Sequence, residues 1–565
     1  MRFACLFLSF SLVACGDDDS TTDDSADMYI PMEDMFVPPI DHPFAEMPAS
    51  TVPETGVRRD IFLVPGATPA PNPETGDTTP AELNNTQVLR YRVDTDPPAE
   101  ARAIVIAMPG FLGGGGSIDG LARAMVREGL EGGENIEVWA IDRRANLLED
   151  LRGADAAEAQ DDPEIANGYY FDGDTVGGVE FEGYVRQSQV PYMSEWGLQT
   201  HVEDLHAVIG VIPEEHRRTR TFLLGHSLGA SFAEAYAAWR FGDGAEATNG
   251  FDELAGIILV DGVLGSAPTD ETVYLEGSTV GGLPQPGVNG IRDGSPYTEL
   301  PLLGVAIYTR TEVLSLRALR DPDAVVDDIR RDNVLGTLLS LNRNQIPPMS
   351  NATALALGFD DQHGPLAFAR AKLGTLVGPT EEYMGLLGSD TLLRPSEPET
   401  TYTWLDAPDA GEVTSIADLS QSFTHGRSNF AEWYFPSRLP VDLGAVGGAA
   451  IPEDGWQAAA GLRSFDGAAI DAPILAIACG LIGSTSRYDA LRERLNTPVG
   501  DGRPQAGATR DEEAGLKVVD AIDIAHLDPN LSSNPDANPT IPESLTFVGL
   551  HAAAGGVTIP AMVME

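Results

Sequence analysis

The stretch "TFLLGHSLGAS" at residues 221–231 constrains this chain more than any other. Its apolar beginning fits a short buried strand, and "ASFAEAYAAWRF" (230–241) fits an alanine-rich helix. Only Gly225-His226-Ser227-Leu228-Gly229 stands between the two. A strand feeding a helix over so few residues must turn sharply, and side chains at the flanking glycines would strike the strand or the helix. Such a turn lifts the central hydroxyl above the sheet edge. It also aims the unpaired N–H groups of a helix N-terminus at that hydroxyl. The five-residue pattern by itself is weak in a chain with 60 Gly among 565 residues, so its surroundings have to carry the reading.

Those surroundings alternate strand and helix. "QVLRYRV" (87–93) reads as a half-buried strand, and "AIVIAM" (103–108) as a strand buried on both faces. "SIDGLARAMVREGL" (117–130) has helical spacing, "IEVWAID" (136–142) is a strand, and Leu198, Val202, Leu205, Ile209 and Ile212 share one helical face. "TRTFLLG" (219–225) and "GIILVDG" (256–262) add two more strands. The alternation predicts right-handed crossovers and a mostly parallel sheet.

The rhythm stops after Gly262 and resumes at "APILAIACG" (472–480), followed by a last strand near "LKVVDAIDIAH" (516–526). A structureless loop of that length is implausible, so an inserted cap is expected over 265–465, between core segments 58–264 and 466–565. The insertion has a helical pattern at 353–374 and an aromatic patch, "EWYFPSRL" (432–439). Within that patch Trp433 and Tyr434 are the expected substrate contacts.

The first residues, "MRFACLFLSFSLVACGDDDS", have the length and pattern of an export signal over 1–14. Leu12-Val13-Ala14-Cys15 resembles the lipobox of bacterial lipoproteins, which implies acylation of Cys15 and a lipid anchor on a bacterial cell membrane. Residues 15–57, rich in Asp, Ser, Thr and Pro, are expected to be an unfolded acidic tether. Cys5 would leave with the signal and Cys479 would remain a thiol, so no intrachain disulfide is expected. The net charge of −51 repels phosphate backbones and argues against nucleic-acid binding. No HExxH, cysteine pair or phosphate loop appears, and "FDGDTVGG" (171–178) lacks the later ligands of a calcium loop, so no metal or cofactor is expected.

Together the Gly-His-Ser-Leu-Gly turn, "MPGFLGGGGS" (108–117) after the third expected strand and "AIDRRANL" (140–147) after the next resemble the α/β-hydrolase superfamily, especially its lipases and esterases. The resemblance covers the two core segments. It implies an α/β-hydrolase fold: a mostly parallel central sheet flanked by helices, with a large inserted cap. It also implies cleavage of carboxylic esters of small molecules or lipids through an acyl-enzyme, without cofactor. Peptidase or acyltransferase chemistry, or a non-catalytic surface lipoprotein, are the alternatives. By resemblance Ser227 is the nucleophile and the amides of Phe111 and Leu228 form the oxyanion hole, although Pro109-Gly110 replaces the common His-Gly. The superfamily order of serine, acid and histidine leaves His526 and His551 as bases, with His526 directly after the last strand preferred. The turn that usually carries the acid reads Gly480-Leu481-Ile482-Gly483, with no carboxylate. Asp261 after the sixth strand, a position used by pancreatic-type lipases, is preferred, and Asp489 is the alternative acid.

Overall fold

A computed structural model describes residues 56–559 except 281–282, 301–302, 326–333, 343–344, 386–389, 409–410 and 425. The expected signal, the lipid attachment at Cys15 and nearly all of the tether lie outside the described residues, as does His425. No helix among the described residues is long and apolar enough to cross a membrane.

Eight strands form one sheet: β1 (Val57–Pro65), β2 (Asn85–Val93), β3 (Ala103–Met108), β4 (Ile136–Asp142), β5 (Thr221–His226), β6 (Gly256–Val260), β7 (Ile474–Ala478) and β8 (Leu516–Asp520). Their spatial order is β1-β2-β4-β3-β5-β6-β7-β8. Only β2 opposes its neighbours; every pairing from β4 onward is parallel. This order and polarity define an α/β-hydrolase fold. Helices α1 (Asp119–Glu131), α2 (Arg152–Gln160), α3 (Leu198–Gly210) and α4 (Leu228–Ala237) accompany the first part of the sheet. Strands β3 to β7 are buried at every position, which explains their unbroken apolar runs.

The sequence misleads in three places. β2 is not half-exposed: Thr86 to Arg92 are all buried. Arg90 is accommodated there because its guanidinium donates to both carboxylate oxygens of buried Glu137, at 2.8 and 2.6 Å. β1 has no clear periodicity and is held in register by β2. In the insertion, the helix expected over 353–374 is confined to Asn351–Phe359, because Asp360 and Ala371 bridge and fold the chain back.

Residues of the expected cap divide between two apolar clusters. Trp433, Tyr434, Phe435 and Leu439 join the main core, whereas Leu355, Tyr402, Trp404 and Phe423 build a second cluster with Leu527 and Leu531. The insertion therefore packs on the segment just after β8.

A buried seam between the insertion and α2 is rich in acid. Glu312, on the insertion helix α5 (Ala306–Arg320), is 2% exposed. Burial, and then the nearby charges of Glu158, Asp155 and Glu149, push its pKa well above the carboxylate range. Burial likewise raises Asp155 to about 6, against the pull of Arg427 and Arg59. It raises Glu432 to about 7 against Arg143. The folded state thus keeps protons that the unfolded chain releases near pH 4. Stability from these groups is full below that pH and is lost as pH rises through about 6 for Asp155 and about 7 for Glu432. The melting temperature should therefore fall between pH 5 and pH 8, by on the order of 1 °C per kcal/mol for a chain of this size. Glu312→Gln should flatten that slope, and an unchanged slope in a thermal melt series would count against the seam as its source.

Candidate active site

A single residue, Ser227, separates β5 from α4. Its backbone is strained, with φ 57° and ψ −120°, a conformation that costs a non-glycine residue about 1–3 kcal/mol. The flanking glycines show why the turn has this composition. A Cβ on Gly225 would lie 2.1 Å from the carbonyl oxygen of Gly229, and one on Gly229 would lie 2.2 Å from that of Met108. Ser227 N–H donates to the Val260 carbonyl at 2.8 Å, which ties the turn to the end of β6. Leu228 opens α4, so its amide is among the helix N–H groups without an intrahelical acceptor.

The segment after β3 lies against the serine: a Cβ on Gly110 would sit 2.9 Å from the Ser227 Cβ. This glycine-rich loop is anchored throughout. Arg143 donates to the carbonyls of Pro109 at 2.7 Å and Gly113 at 2.9 Å, pairs with Glu432 at 3.2 Å, and lies over the Phe435 ring. Asp142 accepts from the Gly115 amide and from Gln87, and Ser428 accepts from the Gly116 amide. Gly114 N–H donates to Phe430 and Glu432 N–H to Leu112, so a strip of the insertion pairs with the loop. Arg144, the second arginine of "AIDRRANL" (140–147), pairs with Asp204 on α3 and does not reach the loop. The brace on the loop is its neighbour Arg143, which sequence reading passed over.

Asp261 follows β6 with φ 46°, a left-handed conformation that aspartate tolerates. One carboxylate oxygen accepts from His526 Nδ1 at 2.6 Å and from the Leu481 amide at 3.0 Å. The other accepts from the amides of Cys479 at 2.9 Å and Ile482 at 3.0 Å. Burial alone would raise the Asp261 pKa, but the His526 hydrogen bond and charge and the backbone donors hold it below the usual carboxylate value. The turn after β7, which has no acid of its own, thus supplies N–H groups that hold the acid of β6. Asp489, the alternative acid, is exposed on the first turn of the helix Asp489–Arg494 and is not brought to this site.

His526 is 3% exposed in the loop after β8. His226 Nε2 donates to the His526 carbonyl at 2.8 Å, with the two ring centroids 4.5 Å apart. Burial, then the charge of His526, lowers the His226 pKa to about 3, so this imidazole is neutral and acts as the donor. Leu527 N–H donates to Arg370, and buried Asp528 accepts from Ala525, Thr414 and Lys372. The insertion therefore fixes the histidine loop. His551, the other candidate base, is buried at the end of the helix Thr540–His551 against Phe547, away from this cavity.

Ser227, His526, His226 and Phe111 line one cavity of about 110 Å³. Trp433 and Tyr434 do not line it. Trp433 is fully buried in the main core and Tyr434 is 1% exposed, its hydroxyl accepting from the Val185 amide at 2.9 Å. Their apolar bulk was spent on joining the insertion to the core. The aromatic wall comes instead from Phe359, Phe368, Phe423 and Phe430. These are scattered over some seventy residues of sequence and carry no shared local pattern. No group of acidic, histidine or cysteine residues among the described residues is arranged to hold a metal ion.

No family model matches the chain. No curated protein matches it either. Solved structures do. A candidate lipase from Sulfolobus solfataricus is 12% identical, with 89% of this chain and 97% of that one covered and a TM-score of 0.41. A thermophilic esterase from Thermogutta terrifontis is 11% identical, with 86% and 99% covered and a TM-score of 0.32. An α/β-hydrolase fold protein from Nakamurella multipartita is 12% identical, with 87% and 100% covered and a TM-score of 0.31. Likeness at this level does not transfer chemistry. The strand order and polarity of the sheet establish the α/β-hydrolase fold, and the chemistry has to be read from the site.

Proposed function

We propose that the chain is a serine hydrolase of carboxylic esters. Ser227 Oγ attacks the ester carbonyl carbon while His526 takes its proton. The amides of Phe111 and Leu228 stabilise the oxyanion, a contribution of about 3 kcal/mol per donor. The C–O bond to the alcohol then breaks, and His526 returns the proton to the leaving oxygen. Water, deprotonated by His526, cleaves the acyl-Ser227 bond and regenerates the serine. Asp261 holds the His526 tautomer with the proton on Nδ1, which turns Nε2 to the reacting side.

The observation that carries this reading is the 2.6 Å contact of Asp261 with His526 Nδ1, in a site whose cavity also holds the strained Ser227. In the absence of substrate such groups need only share the cavity, because catalytic hydrogen bonds tighten in the substrate complex. A serine at the turn disfavours chemistry that needs a carboxylate nucleophile there.

The test is a fluorophosphonate probe, which reacts only with an activated serine, together with a panel of ester and amide substrates. Labelling at Ser227 and faster ester than amide cleavage are expected. No labelling with an intact fold would support the non-catalytic alternative, and dominant amide cleavage would support a peptidase.

A further inference from the structure

A base must hold its reactive ring nitrogen in one place, and a single hydrogen bond at the opposite side of the ring leaves the ring able to pivot about that contact. Asp261 holds Nδ1 of His526 at 2.6 Å, so the backbone behind the ring has to be fixed as well. The peptide groups beside His526 are held from other parts of the chain. Ala525 N–H donates to the Asp528 carboxylate at 2.7 Å, and Leu527 N–H to the Arg370 carbonyl at 2.8 Å. The carbonyl of His526 itself is held by His226, whose Nε2–H donates to it at 2.8 Å.

His226 is the last residue of β5 and is bonded directly to Ser227. Its ring is packed in place: the residue is 2% exposed, and the His526 ring lies 4.5 Å from its own. A Cβ on Gly110 would lie 3.4 Å from Nδ1, so that nitrogen faces the loop that carries Phe111. A carbonyl oxygen only accepts, so the proton of His226 sits on Nε2 and Nδ1 is bare. A second proton would place a positive charge beside the imidazolium that His526 becomes during the reaction. Burial and the charge of His526 oppose that second proton, and the nearby carboxylate of Asp261 is already engaged by His526. His226 is therefore a fixed, neutral donor and not a second base.

We propose, resting on the ester hydrolysis inferred above, that His226 is a positioning residue whose hydrogen bond to the His526 carbonyl ties the base to the backbone of the nucleophile. The two histidines are 300 positions apart in sequence, yet this tie links base and nucleophile through one side chain and one hydrogen bond. A movement of either loop then carries the other with it. The distance the proton must cross is kept when substrate enters or the insertion shifts. Proton transfer depends steeply on that distance, and a misplacement of about 1 Å costs about 10²-fold.

The test uses the full chain with His226→Gln and His226→Asn. Both are read by steady-state kinetics on 4-nitrophenyl butyrate across pH and by the rate of fluorophosphonate labelling. The glutamine amide nitrogen can take the place of Nε2, whereas that of asparagine is one methylene short. His226→Asn should lower kcat by about 10- to 100-fold with KM within about twofold, and should slow labelling by the same factor, because labelling uses the same base. His226→Gln should keep kcat within about threefold of the wild type, because the donor and the alignment are retained. The midpoint of the acid limb of kcat/KM, which reports the base, should not move in either variant, because Asp261 and not His226 contacts the His526 ring nitrogen. If circular dichroism shows that His226→Asn is unfolded, His226→Phe replaces it, with the ring kept, the N–H lost and the same loss expected.

The proposal is overturned if the variant without the donor is as fast as the wild type. It is also overturned if His226→Gln is as slow as that variant, which would assign the effect to the ring, or if the acid limb moves, which would make His226 an electrostatic partner of the base. Each of these results leaves the hydrolase reading standing as long as the wild type is labelled and cleaves the ester. A wild type that is neither labelled nor active defeats that reading and the tie with it.

Discussion

Ser227→Ala is expected to lower kcat on an activated ester by about 10⁶-fold, the scale seen when the nucleophile of a serine–histidine unit is removed. The methyl group of alanine keeps a Cβ in the turn, so the φ of 57° and the Ser227 amide bond to Val260 impose the same local geometry. Melting temperature should therefore change little. His526→Ala should cost about as much, and the double variant little more than either, because the two act as one unit. Steady-state kinetics on the three variants checks this, with circular dichroism to confirm the fold. Additive losses, or a Ser227→Ala enzyme that keeps even a hundredth of its activity, would remove Ser227 from the role of nucleophile.

The second large effect concerns the acid. Asp261→Asn should lower kcat by about 10⁴-fold, because an amide can hydrogen-bond His526 Nδ1 in the wrong tautomer and cannot stabilise the imidazolium. The three backbone donors from Cys479, Leu481 and Ile482 would then face an amide that has only one acceptor oxygen. Some loss of stability should accompany the loss of rate, on the order of 1–3 kcal/mol for each donor left unpaired. Asp489→Asn, at an exposed position, should leave kcat within about twofold. If the asparagine at 489 cripples the enzyme and the one at 261 does not, the assignment of the acid is wrong.

The bracing of this site also explains why the insertion matters beyond forming a wall. Strip 430–432 pairs with the loop after β3, and Thr414, Lys372 and Arg370 hold the loop that carries His526. The groups proposed for oxyanion binding and proton transfer are thus both fixed from the insertion, as a preorganised site requires.

The sequence by itself determined the local pieces. The strand into Gly225, the alanine-rich helix after Gly229 and the apolar runs of β3, β4, β6 and β7 are readable because periodicity and turn chemistry act over a few neighbouring residues. The break after Gly262 and the return at 472 showed where the sheet is interrupted for the same reason. What only the tertiary structure decided involves partners far apart in the chain. Asp261 and His526 are separated by 265 positions; the place of Asp261 at the end of an apolar strand favoured it over Asp489, but the pairing itself is visible only in three dimensions. The acid-free turn at 480–483 gained a purpose only when its amides were seen on Asp261. Trp433 and Tyr434 are the substrate contacts expected from the aromatic patch of the insertion, but packing claimed them, because burying a large ring in the main core is worth more than leaving it at a cavity wall. The cavity was formed instead by Phe111, Tyr308, Phe359, Phe368, Phe423 and Phe430, which converge only when the insertion closes onto the sheet. Local sequence encodes local geometry, but which distant side chains share a cavity is set by how the whole chain minimises its exposed apolar surface.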